Sequence, residues 1–127
     1  MKDDRRAAAQ RAERGARGER LAAGFFEEAG YVVWGRNVRV GRLEVDLVVR
    51  DGAVIAVVEV RVRGPGAWVG PLASVDPKKQ LRIRRAGELL WQRVFKKDAS
   101  LERMRFDILA VSLDDVVPAF EHVRAAF

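Results

Sequence analysis

Two alternating runs joined by Asp51-Gly52 constrain this chain more than any other feature. Arg42 to Arg50 alternates polar with apolar, which puts Leu43, Val45, Leu47 and Val49 on one face. Ala53 to Val62 repeats the alternation with Val54, Ala56, Val58, Val60 and Val62. A period of two is strand geometry, and Asp-Gly between two such runs is a strong hairpin signal. With Asp51 and Gly52 as the turn, Arg50 faces Ala53. The same register sets Glu44 against Glu59, Asp46 against Val57 and Arg42 against Arg61. Asp46 and Glu59 become diagonal neighbours on one face, with Cβ atoms roughly 7–8 Å apart or somewhat less.

That face also carries Val48, Ile55 and Val57, and the opposite face is aliphatic. Strands that are apolar on both faces are covered on both sides. Carboxylates on a covered face are costly unless paired or bound to a cation. Arg42 and Arg61 answer that cost structurally. A hard divalent cation held between Asp46 and Glu59 answers it functionally. The plain alternative is a solvated face crossed by salt bridges. Glu19 sits in helical register with Ala22, Ala23 and Phe26 and so points to the core side. As a first-turn acid it also suits a helix N-terminus.

Residues 1–14 read as a basic N-terminal arm, frayed but helical, and 15–127 as one domain. Leu21, Ala22, Phe25, Phe26 and Ala29 form a helical stripe that Gly30 ends. Tyr31 to Trp34 is a short strand, and Gly35 to Gly41 a basic connection holding Arg36 and Arg39. Arg63 to Val75 is a loop. Asp76 caps a helix with Pro77 at its first position. That helix runs to about Lys97, with Leu81, Ala86, Leu89, Leu90 and Val94 for its core face. Arg105 to Leu113 and Ala119 to Val123 close the chain as strands. Helix, three strands, helix and one or two strands describe an α/β fold with a central mixed sheet.

The absence of cysteine excludes disulfides, thiolate zinc sites and a cysteine nucleophile, and a lone histidine, His122, excludes a multi-histidine metal site. No apolar run is long enough to cross a membrane. No secretory signal is present, so the expected location is cytoplasmic. The net charge is +6, with 19 Arg against 5 Lys. Arginine forks suit phosphate oxygens, so nucleic acid is the first partner this balance suggests. Solubility, or a GC-rich genome, explains the charge equally well.

Gly18-Glu19, Leu43-Glu44-Val45-Asp46-Leu47, Val58-Glu59-Val60-Arg61-Val62-Arg63, Val75-Asp76-Pro77-Lys78-Lys79-Gln80 and Arg105-Phe106-Asp107 occur in that order. Together they resemble the YraN family of small bacterial proteins from about Gly15 to the C-terminus. The resemblance implies a three-layer α-β-α, restriction-endonuclease-like core with the pattern D…(D/E)-x-K. It implies Mg²⁺ or Mn²⁺ on Asp46 and Glu59, and a catalytic set that adds Glu19, Arg61 and Gln80. The reaction implied is hydrolysis of phosphodiester bonds in nucleic acid, DNA first, as in junction resolvases. Arg61 departs from the pattern, which has lysine there. Arginine keeps the charge but cannot serve as a base.

Arg36, Arg39, Arg63, Lys78, Lys79 and Arg82 are the candidates to contact phosphates; a solvated surface is their structural alternative. Trp68 is either a base-stacking group or a loop anchor. Trp34 and Trp91 are read as packing residues, His122 as structural, and Asp107 as a partner for Arg105. Three functions stay open: a metal-dependent endonuclease, with a homodimer as one working form; a nucleic-acid binder of the same fold with weak or lost cleavage; and a structural partner in a larger assembly.

Overall fold

The computed structural model describes residues 2–63, 75–113 and 117–127. Helix α1 (Lys2–Glu28) runs without a break through the segment expected as a frayed arm. It stops at Gly30, whose φ of 91° is the left-handed value a side chain resists. Tyr31 N–H bonds to the Phe26 carbonyl and Gly30 N–H to the Glu27 carbonyl, a Schellman pair. The Tyr31 and Phe26 rings pack edge to face, at 5.1 Å, across the same motif.

Five strands follow in one sheet, ordered as in sequence: β1 (Val32–Val40), β2 (Leu43–Asp51), β3 (Val54–Arg63), β4 (Arg103–Ser112) and β5 (Ala119–Val123). The first three form an antiparallel meander and β5 returns antiparallel to β4. Between β3 and β4 the pairing is parallel, because helix α2 (Pro77–Leu90) crosses from one to the other. A five-residue π-helical turn, Trp91–Phe95, prolongs α2. The result is a mixed central sheet with a helix on each face, the three-layer α-β-α arrangement expected.

Each face has its own core. Ala22, Ala23 and Phe26 of α1 pack on Leu47, Val49, Ala56, Val58, Leu109 and Val111. Ile83, Ala86, Leu90 and Phe95 pack on Val48, Ile55, Val57, Phe106 and Ile108. Close approach depends on two helix glycines. A Cβ on Gly18 would lie 2.2 Å from a Val62 methyl carbon, and one on Gly87 would lie 2.7 Å from the Phe106 ring.

The structure corrects four expectations. Gly35 to Gly41 is not a connection but most of β1, interrupted by a register irregularity at Gly35 and by Asn37 at φ 49°. Those breaks hide the strand from a periodicity reading. The hairpin turn is Gly52-Ala53, not Asp51-Gly52, and Asp51 pairs with Val54. Gly52 has a φ of 58° while Asp51 stays negative. A two-residue turn with only its first central residue positive puts glycine first. Paired numbers therefore sum to 105 rather than 103, so Asp46 is not opposite Val57, nor Glu44 opposite Glu59, nor Arg42 opposite Arg61.

The third correction concerns β2. Leu43 and Val45 belong to the α2-side core while Leu47 and Val49 face α1, so the alternation breaks at Asp46. The fourth concerns α2, whose buried stripe is Ile83, Ala86, Gly87 and Leu90. Leu81 and Val94, expected in the core, are exposed. Trp68 and the loop 64–74 lie outside the described residues.

Candidate functional site

The break in β2 is where the site forms. The ladder between β2 and β3 ends at Leu47 and Val58. Beyond that pair, the Val60 N–H donates to Asp46 Oδ2 at 2.9 Å. A side-chain carboxylate thus takes the backbone donor that a strand carbonyl would otherwise accept. Asn37, in its left-handed conformation, stands across β1 from Asp46, between the pairs Arg36–Leu47 and Val38–Val45. Both strands are thus irregular at the level of Asp46.

Glu59 meets it there. A shift of two in register preserves the face of the side chains along the paired ladder, because strands repeat every two residues. Asp46 and Glu59 therefore stay on one side, and the register sets them level, just past the last ladder pair, rather than diagonal. Burial, and then the negative charge of Glu59, push the Asp46 carboxyl from 3.8 up to about 6. Glu59 is 6 % exposed. Its Oε1 lies 2.6 Å from the Lys79 Nζ on the first turn of α2.

That turn is held firmly. The Asp76 side chain accepts the Lys78 N–H at 2.9 Å, and Pro77 occupies the first helical position, both as the sequence predicts. Gln80 Nε2 donates to the Val75 carbonyl at 2.9 Å, so this expected site residue spends its amide on the loop leading into the helix. Arg61 is half-buried, and its side chain makes no hydrogen bond or ion pair among the described residues.

The remaining candidates are placed as follows. Glu19 accepts from Asn37 Nδ2 at 3.4 Å and so reaches the residue across from Asp46. It does not join the pair: among the described residues no three His, Asp or Glu side chains gather as a metal-binding group. Glu44 is drawn to Arg39 on β1 at 3.6 Å, an exposed contact away from Glu59. Arg36, Lys78 and Arg82 are exposed. Arg63 ends β3, two residues beyond Arg61.

A second polar cluster sits on β4. Asp107 is fully buried and takes Arg105 Nε at 3.0 and 3.1 Å, His122 Nε2 at 2.8 Å and the Ala125 N–H at 3.0 Å. Burial pushes its carboxyl up, but the bonds from His122, Ala125 and Arg105 together outweigh this and hold it below 3.8. Arg105 continues to the Tyr31 hydroxyl at 2.8 Å, and Phe25, Phe26 and Tyr31 set their rings edge-on to His122. No buried side-chain polar atom among the described residues lacks a partner. This cluster is a closed tie between β4, β5, the C-terminal tail and the end of α1. The sequence reading gave His122 and Asp107 structural parts but had no signal that they meet.

Sequence reasoning also placed Lys79 on the phosphate-contacting surface rather than against Glu59. Only the Asp76-Pro77 cap, which fixes where the helix begins, pointed towards that position.

Known proteins place the chain in a family. Residues 18–111 match the sequence profile described as "Uncharacterised protein family UPF0102". A UPF0102 protein of Sorangium cellulosum is 46% identical over 114 residues, covering 89% of this chain and 79% of the relative. One from Anaeromyxobacter dehalogenans is 42% identical, covering 89% and 82%. One from Geobacter sulfurreducens is 38% identical, covering 89% and 87%. The match spans α1 from Gly18, both hairpin strands, the start of α2 and β4, so it includes Asp46, Glu59 and Lys79 alike. The chain belongs to the UPF0102 family.

Proposed function

We propose that the protein is a metal-dependent phosphodiester hydrolase acting on nucleic acid, with a restriction-endonuclease-like core. The observation that carries the reading is the convergence of Asp46 and Glu59 at a deliberate break in the sheet. Burial, and then repulsion from the Glu59 charge, disfavour an ionised Asp46 carboxyl. A hard divalent cation relieves that repulsion, and an all-oxygen donor pair suits Mg²⁺ or Mn²⁺. The donor set therefore fits such an ion.

When bound, the cation supplies polarisation of a phosphoryl oxygen and an acidified water. The chain's own residues do the rest. The Val60 N–H fixes one oxygen of Asp46 and leaves the other for the ion. The Arg61 side chain, without an ion pair among the described residues, would supply a charged contact to the phosphate. Arg36, Lys78 and Arg82 offer further positive charge for the polynucleotide backbone.

Purified protein is to be incubated with branched, flapped and single-stranded DNA in Mg²⁺ or Mn²⁺. Cleavage that disappears in Asp46→Ala and in Glu59→Ala is the expected result. A second reading, a nucleic-acid binder without cleavage, draws on Arg61 standing where the resemblance has lysine. Salt-sensitive binding with no metal-dependent cleavage would favour it, as would gain of cleavage in Arg61→Lys.

A further inference from the structure

We propose that Lys79, rather than the residue two positions after Glu59, is the lysine of this site: its ammonium contacts the phosphodiester beside the acid pair. The inference rests on the hydrolase reading above and adds a residue to it. Position 61 is arginine, and Arg61 forms no ion pair or side-chain hydrogen bond with Glu59 or Asp46. Lys79 does, with Nζ 2.6 Å from Glu59 Oε1. Its side chain is 46% exposed while that of Glu59 is 7% exposed. The ammonium is thus anchored to the site on one side and open to an incoming ligand on the other.

An ammonium has three N–H donors. The contact to Glu59 uses one, and the outward side presents the others to a phosphoryl oxygen. The Asp76 cap, Pro77 and the Gln80–Val75 bond fix the turn that carries Lys79, so its position is set before any ligand arrives. A lysine serving only as counter-ion to Glu59 has no need of an exposed face or of so firm a mounting.

The step balances without a proton passing through Lys79. The water oxygen bonds to phosphorus and the bond from phosphorus to the leaving alkoxide breaks. The proton lost by the water goes to solvent, and the alkoxide takes one from solvent. Lys79 stays charged throughout and donates to a non-bridging oxygen, where negative charge grows in the transition state.

The test compares wild type, Lys79→Met and Lys79→Arg by single-turnover cleavage of DNA in Mg²⁺, by calorimetric titration with Mn²⁺ alone, and by DNA affinity in Ca²⁺. Lys79→Met should lower the cleavage rate about 100-fold. Its DNA affinity should fall by less than about tenfold, a single phosphate contact. Its Mn²⁺ affinity should stay the same or rise, because a positive charge has left Glu59. Lys79→Arg should recover part of the rate.

Wild-type cleavage in Lys79→Met overturns the proposal and leaves the hydrolase reading standing. A Lys79→Met protein that has lost Mn²⁺ binding overturns it too, since Lys79 would then merely hold the acid pair in place. A wild type that binds Mn²⁺ at Asp46 and Glu59 but cleaves nothing refutes the hydrolase reading, and this inference with it.

Discussion

At the scale of single residues, Asp46 and Asp107 are opposite solutions to one problem. Both are carboxylates in a largely buried setting. Asp107 is surrounded by donors and held below its ordinary range, whereas Asp46 faces another carboxylate and is pushed up to about 6. The raised group keeps its proton in the folded state after the unfolded chain has lost it. Stability should therefore fall as pH rises from about 4 to about 6, and level off above. Asp46→Asn should remove that slope and stabilise the protein by about 1–3 kcal/mol above pH 6. Urea unfolding of both proteins across pH 4–8 measures it.

The Asp107 contribution runs the other way. It is present at neutral pH and lost as pH falls below about 4. Asp107→Ala leaves the Arg105 guanidinium, only 10% exposed, without its counter-charge. We expect a loss of roughly 3–5 kcal/mol at pH 7 by chemical denaturation. A loss below 1 kcal/mol would mean that the cluster does not tie the tail to β4.

At the scale of elements, the glycines of α1 separate helix propensity from packing. Gly24 and Gly18 both lie inside the helix, where alanine ordinarily gains up to about 1 kcal/mol. A Cβ on Gly24 meets nothing within 4 Å, whereas one on Gly18 collides with Val62. Gly24→Ala should stabilise by about 0.5–1 kcal/mol, and Gly18→Ala should destabilise by about 1–3 kcal/mol. Thermal melts of the two variants give the comparison, and melts of the same sign would contradict the close α1–β3 packing. Elements also show where periodicity misleads. Strand β1 was concealed by Gly35, Asn37 and its arginines, because a strand interrupted by a bulge and a left-handed residue no longer alternates. Leu81 was assigned inward because helical spacing accommodates it, yet the stripe that meets the sheet is centred on Ile83, Ala86 and Leu90.

For the molecule as a whole, the charge of +6 and the exposed Arg36, Lys78 and Arg82 can be tested against the proposed polyanionic partner. If these residues and Arg61 contact phosphates, log affinity for duplex DNA should fall with log salt at a slope of roughly −3 to −5. Each of the Arg36→Ala and Arg82→Ala substitutions should shallow that slope by about 1. Fluorescence anisotropy at several salt concentrations is sufficient. A cation that binds only the folded state should also raise the melting temperature of wild type, and not that of Asp46→Asn. Among the described residues no helix is long and apolar enough to cross a membrane.

What the sequence determined by itself was local. Alternation placed Asp46 and Glu59 on adjoining strands and on a common side, and an error of two in the register left that unchanged because side chains repeat every two residues. The Asp76-Pro77 cap fixed the start of α2, and Gly30 the end of α1, since both signals are read within a single turn. What only the tertiary structure decided was non-local. How β2 breaks at Asp46 and which helix residue reaches Glu59 both depend on contacts between separate elements. The parallel pairing of β3 with β4 requires α2 to cross one face of the sheet, and that crossing sets Lys79 against Glu59. Short-range periodicity carries no information about such a contact, because it is made by packing one layer on another.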